Sequence, residues 1–368
     1  MIMNNFEKII KRYQFLINRA LEDYLRKETK KLPSFKNSFV LDQYRIFREY
    51  CLGDGKRLRP ILTLMAYLAV GGKKEKEMII PALAFELYHN YTLIHDDIYD
   101  EDDKRRGQSS VHVLFEQQFK KDNFNKVAEN KLYKNFASRF GVVAGIINGK
   151  YLHTLSSFPI LEANISEEKK VAGMKLHQLV SIFDNTGQAM DLHFEQEKIV
   201  SEKDYYNMVL CKTGQLFKAA VEWGSILGDA TESQKKALAQ YMEETAIVFQ
   251  IQDDILDIDS DGGKGRGIGS DIRKGKKTLL IIHALKNASP DRRKYILSIL
   301  GKEKASPEEI KKVIDLFGAL GSIDYCRKAA ELRLKKAIKY LNSARPILSA
   351  EAKKFFCDLA HFMIERKK

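Results

Sequence analysis

The sequence predicts an all-α protein, and three observations carry that prediction. Apolar residues recur at helical spacing along nearly the whole chain, proline is scarce, and no run alternates with period two for long enough to build a sheet. Only seven prolines (Pro33, Pro60, Pro81, Pro159, Pro290, Pro307 and Pro346) interrupt 368 residues, and abundant Lys, Glu, Leu, Ile and Ala favour helix. A composition of 44% hydrophobic and 30% charged residues is that of a folded chain, not a disordered one.

The elements follow in order. Phe6 to Lys31 reads as an amphipathic helix closed by Pro33. Leu41 to Leu52 reads as a second, stopped by Gly53 and Gly55. Pro60 opens a third within its first turn, where a missing N–H costs nothing. Met78 to Tyr99 is a long apolar helix that runs into acids, and Val142–Leu155, Glu167–Met190, Glu202–Leu227 and Glu232–Ile258 follow. Ser306-Pro307-Glu308-Glu309 is a capped helix start, and helices continue to about Glu365. Residues 116–138 are polar and lysine-rich and read as a surface insertion. Without a repeat of solenoid period or a Gly/Ser linker, residues 1–368 read as one domain of long helices packed around a shared core.

Composition also excludes function classes. The four cysteines (Cys51, Cys211, Cys326 and Cys357) are widely separated with no C-x-x-C pair, which speaks against a zinc site or a disulfide framework and suits a reducing compartment. No apolar run reaches the roughly 18 residues of a membrane span, and Glu7 and Lys8 come too early for a signal peptide. A cytoplasmic protein is expected. The net charge is +13, which suits lysine-rich solvated faces or attraction to anionic ligands and membrane surfaces. Basic residues alternate with acids, so no nucleic-acid strip forms.

The chemistry lies in two acidic clusters. Asp96-Asp97-x-x-Asp100 ends one apolar helix, and Asp253-Asp254-x-x-Asp257 ends another. Residues i and i+4 share a helix face, so each motif stacks like charges that repel. One such cluster is readily a solvated helix end; two at identical spacing are not. Hard cations with oxygen ligands relieve the repulsion, and magnesium takes one or two carboxylates plus substrate phosphates. Asp257-x-Asp259-x-Asp261-Gly262 imitates the start of a calcium loop, but the twelfth position, which requires a bidentate Glu, is Ile268.

Cations match the acids. Lys56, Arg57 and Arg59 precede a helix, Arg105 and Arg106 follow the first cluster, Lys212-Thr213 sits in an apolar helix, and Lys274, Lys276 and Lys277 follow the second cluster. Arg forks and Lys point charges grip phosphate oxygens. The set suggests two diphosphate sites, one bridged by metal and one held by cations.

These residues resemble the trans-polyprenyl diphosphate synthases of the short-chain type. The resemblance rests on the two D-D-x-x-D motifs, G-K-x-x-R-P at Gly55–Pro60, R-R-G at Arg105–Gly107, G-Q-x-x-D-L at Gly187–Leu192, K-T at Lys212–Thr213, F-Q-x-x-D-D at Phe249–Asp254 and G-S-D at Gly269–Asp271, all in the family's order. It implies an all-helical isoprenoid-synthase fold, with long helices around a central cavity, and a homodimer. The implied reaction joins isopentenyl diphosphate head-to-tail to an allylic diphosphate. Asp96, Asp100 and Asp253 would hold magnesium, three ions with the diphosphate, with Asp97, Asp254 and Asp257 in support. Lys56, Arg59, His89 and Arg106 would hold isopentenyl diphosphate. Arg105, Lys212, Thr213, Gln250 and Lys276 would hold the allylic diphosphate. Ionisation of its C1–O bond would depend most on Asp96, Asp253, Arg105 and Lys212, since stabilising the departing charge is the largest catalytic term.

A ruler follows from helix geometry. At 1.5 Å per residue, Tyr91 lies about 7.5 Å below Asp96 along its helix, and Tyr88 a turn deeper. In the family, bulk at these levels limits product length. Large Tyr91 beside small Thr92 looks like the archaeal type of geranylgeranyl diphosphate synthase. A farnesyl product stays open, as does the reading of both tyrosines as core aromatics. Two departures stand out: Asn148-Gly149-Lys150 replaces the usual A-G-D, and Arg266 stands where relatives carry a lysine.

A terpene cyclase would lack the second D-D-x-x-D and have no need of Lys56 and Arg59. A non-catalytic regulatory subunit of a prenyl synthase would be expected to lose acids or cations, and here both sets are intact. A greasy product would make peripheral membrane contact natural.

Overall fold

Each long segment of helical apolar spacing is a helix in the structure, a computed structural model that describes residues 5–31, 38–105, 107–121, 132–259 and 267–365. The described residues form two compact units. The expected sites Arg106 and Arg266, and residues 122–131 of the expected insertion, lie outside the described residues.

The first unit comprises Met1–Leu64 and Lys74–Met174. It holds α1 (Asn5–Lys31), α2 (Ser38–Leu52), the start of α3 (Leu58–Ala69), α4 (Ile79–Tyr99), α5 (Val111–Lys121), α6 (Phe136–Leu155), α7 (Phe158–Leu161) and the start of α8 (Glu167–Gln196). Helix α4 packs against α1, α6 and α7, and its Leu83, Phe85, Leu87 and Tyr88 are fully buried. Burying four such side chains contributes on the order of 2 kcal/mol each from removed apolar surface.

Two local features escaped the sequence reading. A ribbon of two residues per strand, β1 (Lys104–Arg105) and β2 (Gln108–Ser109), pairs Arg105 with Gln108; strands this short leave no alternation to detect. Residues 116–121 of the expected insertion belong to α5 and 136–138 to α6. Buried Phe119 explains α5, since its ring packs 5.0 Å from that of Phe140.

The second unit comprises Met65–Lys73 and Lys175–Lys368. It continues α3 and α8 and adds α9 (Glu202–Val209), a π-helical turn (Leu210–Gly214), α10 (Gln215–Leu227), α11 (Glu232–Asp257), α12 (Ser270–Lys274), α13 (Leu279–Asn287), α14 (Pro290–Ile299), α15 (Pro307–Ala319), α16 (Ser322–Asn342) and α17 (Ala350–Glu365). Helix α11 packs against α10, α16 and α17 around the fully buried Trp223, Phe217, Tyr241 and Phe356. Thr231 and Gln234 form a reciprocal capping box at its start, and Ser306 with Glu309 does the same for α15, satisfying N–H groups that have no partner within a helix. The expected helix Glu202–Leu227 is real but is interrupted by the π turn, a feature frequent at functional sites.

Candidate active site

In the first unit, α4 delivers an acidic end and the ribbon returns a cation to it. Asp97 is fully buried. Its Oδ2 accepts from Tyr50 Oη at 3.2 Å, and its Oδ1 accepts from Arg105 Nε at 2.6 Å. Arg105 Nη2 also reaches Asp96 Oδ2 at 3.1 Å. Burial opposes the charge on this guanidinium, but Asp97 and Asp96 beside it outweigh that and raise its pKa. So the chain itself relieves part of the repulsion between the stacked acids. Asp96 keeps 23% of its side chain exposed, and Asp100 is half-buried at the helix C-cap. The three aspartates of this motif therefore divide into a buried anchor, Asp97, and two partly exposed carboxylates, Asp96 and Asp100.

The expected isopentenyl-site cations lie before and within the first turn of α3. Lys56 is exposed and Arg59 half-buried, while Arg57 between them is buried. Arg57 donates to Asn18 Oδ1 at 2.7 Å, Glu86 Oε1 at 2.9 Å and the Gly53 carbonyl at 2.7 Å. It is a fixture of the loop and not a third ligand-facing cation. His89, half-buried on α4, accepts from Thr92 Oγ1 through its carbonyl at 2.9 Å.

Tyr88 and Tyr91 are buried in an aromatic cluster with α6. Their rings lie 5.2 Å apart, and His153 packs 5.6 Å from Tyr88 and 4.9 Å from Tyr91. Burial lowers the His153 pKa, and the nearby Lys150 charge adds to it. The A-G-D departure is thus felt here. Gly149 is needed for the close approach: a Cβ there would sit 2.2 Å from His95 Nε2.

The second unit gathers the remaining expected residues. Asp254 is buried and accepts from Tyr205 Oη at 2.7 Å and Gln250 Nε2 at 2.8 Å. Gln250 Oε1 in turn accepts from Thr213 Oγ1 at 3.3 Å, so the π turn is wired to α11. Asp257, also buried, accepts from the Asp271 N–H at 3.0 Å, and its carbonyl accepts from the Gly269 N–H at 2.8 Å. It fixes the G-S-D loop to the helix end. Asp253 is the half-buried carboxylate of this motif.

One residue was missed as a site member. Asp191 in α8 accepts from both Lys212 Nζ, at 2.6 Å, and Lys276 Nζ, at 2.9 Å. Its signal was the G-Q-x-x-D-L motif. Gly187 of that motif lets α8 touch the π turn, because a Cβ there would lie 2.3 Å from the Lys212 backbone nitrogen. Gln188 keeps a buried Nε2 with no hydrogen-bond partner among the described residues.

Residues 43–317 match the polyprenyl synthetase family. The chain belongs to that family. It is 36% identical over 325 residues to a short chain isoprenyl diphosphate synthase of Methanocaldococcus jannaschii, covering 88% of this chain and 89% of that one. It is 33% identical over 360 residues to a geranylgeranyl pyrophosphate synthase of Geoglobus acetivorans, covering 98% of each. The crystal structure of geranylgeranyl pyrophosphate synthetase from Pyrococcus horikoshii shares the fold with a TM-score of 0.81 at 34% identity, over 99% of this chain and all of that one. As a polyprenyl synthetase, this all-α chain has the isoprenoid-synthase fold and is a prenyltransferase.

Within the family frame, the donor chemistry fits a hard cation. The candidate ligands are carboxylate oxygens on half-buried residues: Asp96 and Asp100 in one unit and Asp253 in the other. Among the described residues no three His, Cys, Asp or Glu side chains are gathered into a ready-made metal cage. Magnesium dehydrates reluctantly and is bound through one or two carboxylates plus substrate phosphates.

Proposed function

We propose that this polyprenyl synthetase condenses isopentenyl diphosphate head-to-tail with allylic diphosphates and makes geranylgeranyl diphosphate. The observation that carries the reading is the paired acidic motif, in which a buried, internally bonded Asp stands next to half-buried carboxylates: Asp97 with Asp96 and Asp100 in the first copy, Asp254 with Asp253 in the second. Magnesium, three ions with the diphosphate, would be held by Asp96, Asp100 and Asp253. When bound, it supplies positive charge against the charge that develops on the departing diphosphate. Asp97, Asp254 and Asp257 act in support, by fixing the helix ends on which those ligands stand.

The chain's own cations do the rest. Arg105, Lys212, Thr213, Gln250 and Lys276 bind the allylic diphosphate, and Lys56, Arg59, His89 and Arg106 bind isopentenyl diphosphate. The allylic C1–O bond ionises to an allylic cation and free diphosphate, the isopentenyl double bond attacks C1, and the resulting cation loses a proton to the released diphosphate, which leaves the double bond of the lengthened allylic diphosphate. No protein nucleophile is required, and apolar surroundings keep water from the cation. The whole chain acts as one all-α domain.

The proposal extends to assembly and place. A homodimer is supported by Val143, Ile146 and Ile147, left 36%, 45% and 55% exposed on α6; at spacings of three and four they share one face. A cytoplasmic enzyme is supported by four cysteines that are all free. Peripheral membrane contact is supported by the +13 charge. Among the described residues no helix is long and apolar enough to cross a membrane.

Product analysis by mass spectrometry tests the reading. Purified protein is given magnesium, isopentenyl diphosphate and the five-, ten- or fifteen-carbon allylic primer. A twenty-carbon product is expected. Tyr91→Ala is expected to extend it, since Tyr91 is proposed, with Tyr88 and Thr92, to close the floor of the chain's path. An unchanged product from that variant would leave Tyr91 as an ordinary core aromatic. Absence of any product from folded wild-type protein would favour a regulatory subunit.

A further inference from the structure

Asp191 has geometry that the reaction above does not use. One of its oxygens, Oδ2, receives both Lys212 and Lys276. Glu195, one turn further along α8, pairs with Lys276 at 2.7 Å. The Asp191 side chain is 9% exposed, and the two lysines 23% and 11%. Burial works to raise the Asp191 pKa, but the two lysines outweigh it and hold the carboxyl ionised.

The three groups come from three places in the chain: α8, the π turn and the segment after α12. Two ammonium groups drawn to one oxygen would repel each other, and that repulsion favours loss of a proton from one of them. The carboxylate between them removes the penalty. An ammonium has three N–H donors, so bonding to Asp191 exhausts neither lysine. Without ligand, Asp191 and Glu195 offset the charges of Lys212 and Lys276; Lys277 stands beside them, its ammonium donating to the Glu195 carbonyl at 3.0 Å. Gly187, one turn before Asp191, brings the helix close enough to the π turn for the contact to form.

We propose that Asp191 is a positioning residue that holds Lys212 and Lys276 side by side and charged, as one dicationic grip for the allylic diphosphate. This deepens the proposed function and rests on it. Asp191 touches the two lysines, and its effect reaches the substrate only through them.

The test uses Asp191→Asn, which keeps the size and removes the charge. The KM for the allylic primer is expected to rise about tenfold, while the KM for isopentenyl diphosphate stays within about twofold; an unpaired like-charge couple is the cause. The alkaline limb of kcat/KM for the primer should move to lower pH, since the lysines then lose a proton more readily. A merely structural change would not shift that limb. Asp191→Glu retains the charge and should leave the limb where it is, while its extra methylene displaces the ammonium groups and raises the primer KM. If the Asn variant fails to fold, the Glu variant carries the test, and a wild-type primer KM in it overturns the proposal. So does an Asn variant with unchanged KM and limb.

Calorimetry with inorganic diphosphate, titrated across the neutral-to-alkaline range, needs no turnover. Binding to the Asn variant should be weaker and fade at lower pH than binding to wild type. Equal binding in both proteins overturns the proposal. Asp191-dependent diphosphate binding in a wild-type protein that makes no prenyl product would sink the proposed function and leave the grip standing.

Discussion

Asp96→Ala and Asp253→Ala are each expected to lower turnover by about a hundred- to a thousandfold, the range for removing one group that meets charge developed in the transition state. The fold should survive both changes. Asp96 and Asp253 are half-buried; Asp96 shares Arg105 with the buried Asp97, which keeps the guanidinium paired when Asp96 is removed. Asp97→Ala and Asp254→Ala should behave differently. Asp97 is the buried acceptor for Tyr50 and Arg105, and Asp254 for Tyr205 and Gln250. Removing either strands buried donors, at a cost of about 1–3 kcal/mol, so stability should fall together with activity. The comparison needs steady-state rates and thermal unfolding curves on all four variants. Near-normal turnover in Asp96→Ala or Asp253→Ala, with magnesium present, would remove the metal assignment. Equal melting losses across the four would remove the division between ligand and anchor.

That division explains which parts of the site were legible in the sequence. The spacing of the two acidic motifs, the apolar helices they end and the neighbouring cations are all periodic or local features, and such features survive in one dimension. The distinct jobs of adjacent aspartates are not local. Asp97 is an anchor because Tyr50, 47 residues away, points at it. Asp254 is one because Tyr205 does, 49 residues away. Arg57 looked like a ligand-facing cation beside Lys56 and Arg59, but its fate is set by Glu86 on another helix. The π turn left no mark because Leu210–Gly214 fits a continuing helix as well as an interrupted one. Helix α5 was hidden for a different reason: its polar residues outnumber its buried ones, and only Val111, Phe115 and Phe119 face inward.

The largest effect on stability is expected at the pair Arg57–Glu86. Both side chains are buried, at 0% and 2% exposure, with the ion pair at 2.9 Å. Breaking a buried pair leaves an uncompensated charge and costs about 3–5 kcal/mol, whereas replacing both partners by apolar groups is often far milder. Arg57→Met should therefore destabilise the protein severely, and adding Glu86→Leu should recover much of the loss, which a double-mutant cycle in urea would read as a coupling energy. Arg57 also ties Asn18 of α1 and the Gly53 carbonyl to the same point, in the loop that carries Lys56 and leads to Arg59. Recovery of stability should then not bring recovery of function: the double variant is expected to fold while its KM for isopentenyl diphosphate stays raised, because the loop has lost its tie to α1. A double variant with normal stability and normal KM would show that Arg57 serves packing alone. One as unstable as the single variant would show that the hydrogen bonds to Asn18 and Gly53, rather than the charge pair, hold this part of the unit together.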